Sequence, residues 1–328
     1  MTAHQPRKTS ATEAETEDMV WLDGGVFKMG SDNHYPEEAP VHLAKVDGFW
    51  IDRLPVTNRQ FAAFVEETGH VTTAEIAPDP KDYPGALPEM CKAGSLVFVQ
   101  PPGPVDLSNW YNWWSFMFDA DWRHPQGLGS SIDAIMDHPV VHVSHSDALA
   151  YAKWAGKDLP TEAEWEYAAW GGTEDAEFAW GDELEPNGEH RANVWQGSFP
   201  WENAERDGFA RTSPVGSFPP NGFGLSDMIG NTWEWTDDWY IARHSSPTSK
   251  PCCIPSNPRG GEEEASHDPG DTARIARKVV KGGSHLCAPN YCRRYRPPAR
   301  HPHPIDTSTS HIGFRCVRRG GKEASGLG

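Results

Sequence analysis

The chain has 328 residues, 37% of them hydrophobic and 23% charged, with a formal net charge of −18. That length allows one large domain or two ordinary ones, and that composition supplies a sizeable core. The acidic balance argues against a nucleic-acid partner, because phosphate repels such a surface, and no apolar run approaches the ~20 residues of a membrane span.

The stretch MTAHQPRKTSATEAETED (1–18) has no apolar segment that would serve as a signal peptide and reads as a disordered tail. Six cysteines are too few for a disulfide scaffold in a chain this long. The expectation is a soluble, cytoplasmic protein with reduced thiols. With 31 glycines, 29 prolines and 15 tryptophans, turns and irregular loops pinned by aromatic rings should outweigh long helices.

In chain order, GGVFKMGS and DGFWIDRL read as short strands. In PVTNRQFAAFVEETGH, Thr57 with Gln60 forms a capping box and Val56 with Phe61 a hydrophobic staple. Phe61, Phe64 and Val65 share a face, and Gly69 suits the stop. HPVVHVS reads as a strand. Ser144 caps a helix that stops at Gly156, and Thr161 with Glu164 caps another that stops at Gly171. Residues 243–276, rich in Ser, Pro, Gly and Glu, read as a loop insertion. RKVVKGGS and HIGFRCVRR follow as strands, and 320–328 is loop-like. Strands and helices do not alternate, which disfavours a doubly wound sheet. One α+β domain over 19–319 is the economical reading.

KGGSHLCAPNYCRRYRPPAR carries the chemistry. Structural zinc would need a second ligand pair, and His301 and His303 are spaced too tightly to supply it. A permanent disulfide between Cys287 and Cys292 is disfavoured in a reducing compartment. Arg293, Arg294, Arg296 and Arg300 would favour thiolate, and two thiolates are soft ligands that select Cu(I). A reactive dithiol and a Cu(I) site both remain open on the residues alone. On a strand, His138 and His142 would stand ~13 Å apart, too far to share an ion; with His145 they read as structural or surface histidines. Cys91 and Cys252–Cys253 read as incidental. Asp227, Gly230, Asn231, Thr232 and Glu234 gather oxygens at a glycine turn, as Ca²⁺ requires, and Asn193 with Asp207 offers a similar set. An aromatic-rich core turn explains these residues equally well.

Taken together, GGVFKMGS, KDLPTEAEWEYAAWGG, ANVWQGSFP, NGFGLSDMIGNTWEW, GGSHLCAPNYCRRYR and HIGFRC resemble the formylglycine-generating enzymes, or sulfatase-modifying factors, of bacterial type. LPTEAEWEYAA and GNTWEW mark the superfamily, whereas the Cys-x4-Cys after Gly-Gly-Ser marks its catalytic branch. The resemblance implies one α+β domain of C-type-lectin-like architecture with little regular structure. It implies a copper- and O2-dependent oxidase that converts the cysteine of a Cys-x-Pro-x-Arg motif in sulfatases to Cα-formylglycine. Cys287 and Cys292 would bind Cu(I), and Ser284 matches a family active-site residue. One Ca²⁺ would use Asn193 and Asp207 with the carbonyls of Val194 and Phe209. The other would use Asp227 and Glu234 with the carbonyls of Gly230 and Thr232.

The implied partner is an unfolded or nascent sulfatase polypeptide, met by a monomer. Secreted relatives bridge the cysteine matching Cys316 to one where this chain has Ala152; a second bridge lacks both partners, at Ala169 and Pro297. His301 and His303 stand where the family usually has Ser and Asn, while Asp306, Ser308 and Gly313 follow the pattern. Two other classes compete. An iron-dependent sulfoxide synthase would require His-x3-His-x-Glu, but Ser144 stands where Glu is needed. A non-catalytic lectin-like binding module would lack the cysteine pair.

Overall fold

The computed structural model describes residues 18–81, 87, 91–244, 254–270 and 273–320. The expected tails fall outside them apart from Asp18 and Gly320, as do Cys252 and Cys253. Three helices form where capping was read. In α1 (Asn58–Thr68), Thr57 Oγ1 accepts from Gln60 N at 3.2 Å, and Gln60 Oε1 accepts from Thr57 N at 2.9 Å. The helix ends at Gly69 with φ 68°, a left-handed cap that suits glycine. Capping boxes of Ser144 with Asp147 and Thr161 with Glu164 open α2 (His145–Trp154) and α3 (Glu162–Trp170).

Short strands make small sheets. β1 (Met19–Leu22), β4 (Phe49–Asp52) and β11 (Val317–Arg319) form one, with β4 central and both pairings antiparallel. β2 (Gly25–Met29) pairs with β3 (His42–Val46), and β5 (Gly94–Phe98) pairs with β6 (Trp114–Phe118). The fourth sheet holds β7 (Trp233–Trp239), β8 (Arg277–Lys281), β9 (Arg300–Pro304) and β10 (Ile312–Gly313) in the order β10-β7-β8-β9. The expected α+β domain with low regular content is what forms.

HPVVHVS is not a strand. Only Pro139 bridges a partner, Thr57, and His142 sits at φ 59°, which breaks the extended run. The segment is instead a buried connector: Val140 N donates to Val56 O at 2.9 Å and His142 N to Thr309 O at 3.0 Å. HIGFRCVRR likewise splits into β10 and β11 around Phe314–Cys316. In the insertion, the described residues 254–270 hold a short 3-10 turn at Glu263–Ala265 and single bridges from Ser256 and Gly261.

Helix α3 organises the core. Trp165 and Glu166 are fully buried, and Glu162 and Glu164 are buried beside them. Buried carboxylates need partners. Each meets a cation from the C-terminal third: Glu162 takes Arg300 in a two-pronged contact at 2.6 and 2.8 Å, Glu164 takes Arg319, and Glu166 takes Lys281 at 2.8 Å. Lys281 and Arg300 are register partners across β8 and β9. The helix therefore clamps both ends of the intervening 282–299 loop.

Removing one partner of such a pair leaves a buried charge, at a cost of about 3–5 kcal/mol. Arg300→Met should lower unfolding free energy by that amount in urea titration. Burial opposes ionisation of Glu162, but Arg300 and its other cationic neighbours outweigh it and hold the carboxyl down at about 2. This depressed group stabilises the fold above the unfolded carboxyl range, and the contribution is lost as pH falls from about 4 towards 2. In Arg300→Met that part of the acid dependence should shrink.

Candidate active site

The cysteine segment leaves β8 through Gly282 and Gly283, at φ 92° and 71°. A Cβ on Gly283 would lie 2.8 Å from the Arg294 carbonyl oxygen, so glycine is what lets the outgoing and returning chains touch. Cys287 N then donates to Ser284 O at 2.9 Å and Cys292 N to Ala288 O at 2.8 Å. These successive turns bring the two sulfurs to 3.2 Å, both as free thiols.

The pair is electrostatically unequal. Burial, and then the hydrogen bond to Cys292, push the Cys287 thiol above its ordinary value. That same bond, accepted by Cys292, holds Cys292 below its own; burial opposes this, and the Arg294 guanidinium 3.9 Å away reinforces it. Cys287 is therefore a thiol donating to a Cys292 thiolate.

Of the four arginines expected to favour thiolate, only Arg294 does so. Arg293 pairs with Glu177 at 2.9 Å, Arg296 with buried Glu38 at 2.6 and 3.0 Å, and Arg300 with Glu162. Arg294 is itself held by Glu37 at 2.5 Å and lies over the Tyr35 ring at 3.8 Å.

Both sulfurs open onto a cleft of about 560 Å3 whose walls include Trp110, Trp114, Trp233, Ser284 and Tyr291. Tyr291 stacks on Phe199 at 4.6 Å, and Phe199 meets Trp113 edge-on at 5.5 Å, which gives the pocket a rigid apolar side. Ser284 is fully buried, and its Oγ accepts from Leu286 N at 3.2 Å. His301, His303 and His311 line the far wall, packed on Trp233, Trp235 and Trp114. Burial lowers His301 to about 3 and His303 to about 4, so both are neutral imidazoles near pH 7. The residues that sequence reading missed here are Trp114, Tyr291, Tyr35 and Glu37; only the WYNWW run hinted at an aromatic wall.

Other candidate sets separate. His138 Nδ1 meets Thr212 Oγ1 and His142 Nδ1 meets Ser95 Oγ, so the two histidines serve different contacts. Among the described residues, no three His, Cys, Asp or Glu side chains converge as a metal-holding group. The two sulfurs 3.2 Å apart, with the histidines held on the opposite wall, are a donor set that fits a soft monovalent ion rather than zinc.

The oxygen sets adjoin the thiol loop from behind. Trp195 N donates to Cys287 O at 3.0 Å, and His285 N to Asn231 O at 3.0 Å. Gly230 and Asn193 are in backbone contact: a Cβ on Gly230 would lie 2.4 Å from Asn193 O. In the first set, Asp207 Oδ1 accepts from Phe209 N at 3.1 Å, while its Oδ2 is buried without a partner. That unpaired anionic oxygen fits a cation. In the second, burial pushes the Asp227 carboxyl up to about 6, which also fits a missing positive charge. Glu234 does not share that need: Arg315 takes both its oxygens at 2.7 and 2.8 Å, and Trp165 Nε1 takes one at 2.7 Å. Cys316 is a free, buried thiol in the core that also contains Ala152.

The model of the sulfatase-modifying factor enzyme 1-like domain matches residues 4–320, and the chain belongs to that family. It is 52% identical over 302 residues to the formylglycine-generating enzyme of Mycobacterium tuberculosis, covering 92% of this chain and 97% of the relative. The formylglycine-generating enzyme of Thermomonospora curvata is 45% identical, over 91% of this chain and 92% of its own. Among solved structures, PvdO from Pseudomonas aeruginosa superposes with a TM-score of 0.57 at 25% identity, over 92% of this chain and 93% of that one.

Thiol asymmetry gives a direct test. In metal-free protein at pH 7, Cys292 should alkylate faster than Cys287 by at least about tenfold, because thiolate is the nucleophile. Arg294→Leu should move the pH midpoint of Cys292 alkylation upwards; site-resolved mass spectrometry reads both.

Proposed function

We propose that this protein is an O2-dependent oxidase that converts the cysteine of a Cys-x-Pro-x-Arg segment in a sulfatase polypeptide to Cα-formylglycine, with Cu(I) held by Cys287 and Cys292. The observation that carries the reading is the pair of free sulfurs 3.2 Å apart at the wall of a peptide-sized cleft. Family membership supports a metal- and O2-dependent oxidation. Copper, when bound, supplies soft-thiolate affinity and the redox chemistry with O2.

The chain's own residues do the rest. Arg294 holds Cys292 as thiolate, ready to ligate, while Cys287, a thiol in the metal-free pair, would have to give up its proton to hold Cu(I) as well. The Trp113, Phe199 and Tyr291 rings exclude water beside the sulfurs and fix the depth at which a substrate cysteine rests. Neutral imidazoles opposite leave that space without added charge. Ser284 hydrogen-bonds within the pocket and holds the turn that presents Cys287.

Calcium belongs to the same reading as a structural ion. Asn193, Val194, Asp207 and Phe209 form one set, and Asp227, Gly230, Thr232 and Glu234 form the second, in which Asp227 contributes the uncompensated charge. Because Gly230 N donates to Gly282 O at 3.0 Å, and Trp195, next to Val194, donates to Cys287 O at 3.0 Å, a cation in either set would stiffen the turn that carries Cys287. Cytoplasmic placement and action as a monomer complete the proposal, with the free thiols of Cys91, Cys287, Cys292 and Cys316 in support of a reducing compartment.

The direct assay is mass spectrometry of a Cys-x-Pro-x-Arg peptide incubated in air with copper-loaded enzyme. Cys287→Ser and Cys292→Ser should each reduce aldehyde formation by at least about 10³-fold and abolish tight Cu(I) binding while the melting temperature holds. Full turnover in either variant would falsify the assignment. For calcium, EGTA should lower the melting temperature and added Ca²⁺ restore it, by mass action on the native state. The Asp227 pKa is raised on folding, so its stabilising contribution is present below about 4 and lost as pH rises through about 6. Calcium-free protein should therefore melt lower at pH 7 than at pH 4 by an increment that Asp227→Asn removes.

A further inference from the structure

The β5–β6 hairpin stands beside the cleft with one edge open. Val99 N donates to Trp113 O at 2.8 Å and Asp119 N to Ala93 O at 3.2 Å, which fixes the hydrogen-bonded register at both ends. Alternation along an antiparallel ladder then makes 97/115 and 95/117 the bonded pairs. The N–H and C=O groups of Trp114, Phe116 and Phe118 consequently point away from β5. On the opposite side, Leu96 uses its outward groups on Ser308 O and Ser310 N. Those of Trp114, Phe116 and Phe118 have no hydrogen-bond partner among the described residues.

Sheet edges are ordinarily blunted by charge, proline or bulges. Outer strand β9 carries Pro302 and Pro304, and outer strand β11 carries Arg318 and Arg319. β6 reads Trp-Ser-Phe-Met-Phe, with no charge and no proline, and Phe116 is 51% and Phe118 42% exposed. Its first residue, Trp114, is a wall of the cleft that holds both sulfurs and packs on His311 at 4.7 Å. The unpaired edge therefore starts inside the cleft and runs out of it.

Resting on the formylglycine reading above, we propose that this edge takes the main chain of the substrate polypeptide as an added strand. Residues flanking the reactive cysteine would pair with Trp114, Phe116 and Phe118 while the cysteine reaches the Cys287–Cys292 pair. An extended, unfolded segment is the occupant this geometry selects: β-addition is made by backbone groups and needs no particular side chains. Exposed aromatic rings on one face of the strand then cover alternate residues of whatever sequence lies there. Such a surface would grip polypeptides that share a short motif and little else.

The test compares the bare Cys-x-Pro-x-Arg peptide with the same motif carrying an eight-residue uncharged extension at either end. For the full-length enzyme, one extended peptide should show a KM about tenfold or more lower, the scale of a few main-chain hydrogen bonds. N-methylation of alternate residues in that extension should erase the gain with a period of two. Phe116→Pro removes an outward donor and no ladder bond, and should raise the extended peptide's KM to near that of the bare motif, with the melting curve checked for retained fold. Binding is read separately by amide exchange, using the extended peptide with serine at the reactive position. The Trp114, Phe116 and Phe118 amides should slow on binding and the Ser115 and Met117 amides should not change. Turnover of the peptides without this protection or KM gain overturns the strand-addition proposal and leaves the oxidase reading intact. Protection without turnover keeps the edge and removes the oxidase. Protection of β6 before any peptide is added, with a concentration-dependent dimer mass, assigns the edge to a second copy and overturns the proposal.

Discussion

Two buried cations, Lys281 and Arg300, face each other across β8 and β9 and both end on carboxylates of α3, Glu166 and Glu162. Those carboxylates are four residues apart, one helical turn, so they lie on one face. A strand pair and a helix are thus bolted together where the 282–299 loop begins and ends. The arrangement needs both signs: either ion alone in that interior would be strongly penalised by desolvation. In a fold with so little ladder structure, this charge matching does what long strands do elsewhere. It fixes the relative placement of elements distant in sequence.

The same matching decides the electrostatics of the thiols. An arginine-rich segment suggests a broadly positive site, but most of that charge is neutralised within the scaffold, by Glu177, Glu38 and Glu162. What reaches the sulfurs is one guanidinium, itself moderated by Glu37. Had all four arginines faced the pair, both cysteines would be drawn towards thiolate and repel each other at 3.2 Å. One nearby cation with one buried sulfur favours instead a shared proton, a compact pair that holds together without metal.

The legible features were the local ones. Caps at Thr57, Ser144 and Thr161 announced the helices that follow them because such signals lie within four residues of one another. Gly282 and Gly283 before the cysteines marked a turn for the same reason, and the spacing of Cys287 and Cys292 placed both sulfurs on one loop. Family resemblance of the glycine-serine-cysteine motif carried the chemistry further than spacing alone could. What stayed hidden depends on distant partners. Nothing near Arg293, Arg296 or Arg300 says that they end on Glu177, Glu38 and Glu162, and nothing near Glu234 says that Arg315 will occupy it. HPVVHVS reads as a strand because of Pro139 and its β-branched valines, yet His142 turns left-handed where its ring meets Ser95 and Pro125. The β5–β6 hairpin was missed because WSFMF has no alternation to reveal which face is buried.

The departures from the secreted pattern fit this picture of stability. Where the family resemblance implies a bridge in secreted members, this chain packs Ala152 and Cys316 into one apolar cluster, and Ala169 into another. A covalent link acts mainly by restricting the unfolded chain; its loss must be offset by interactions in the native state. The charge pairs of Glu162, Glu166, Glu38 and Glu234 are buried and that of Glu164 is half-exposed on its Arg319 side, and none depends on oxidation. With few cysteines left in the fold and the remaining core thiol buried, the Cys287–Cys292 pair faces little competition for disulfide exchange. A scaffold stabilised by charge pairs thus keeps its two chemically useful sulfurs free.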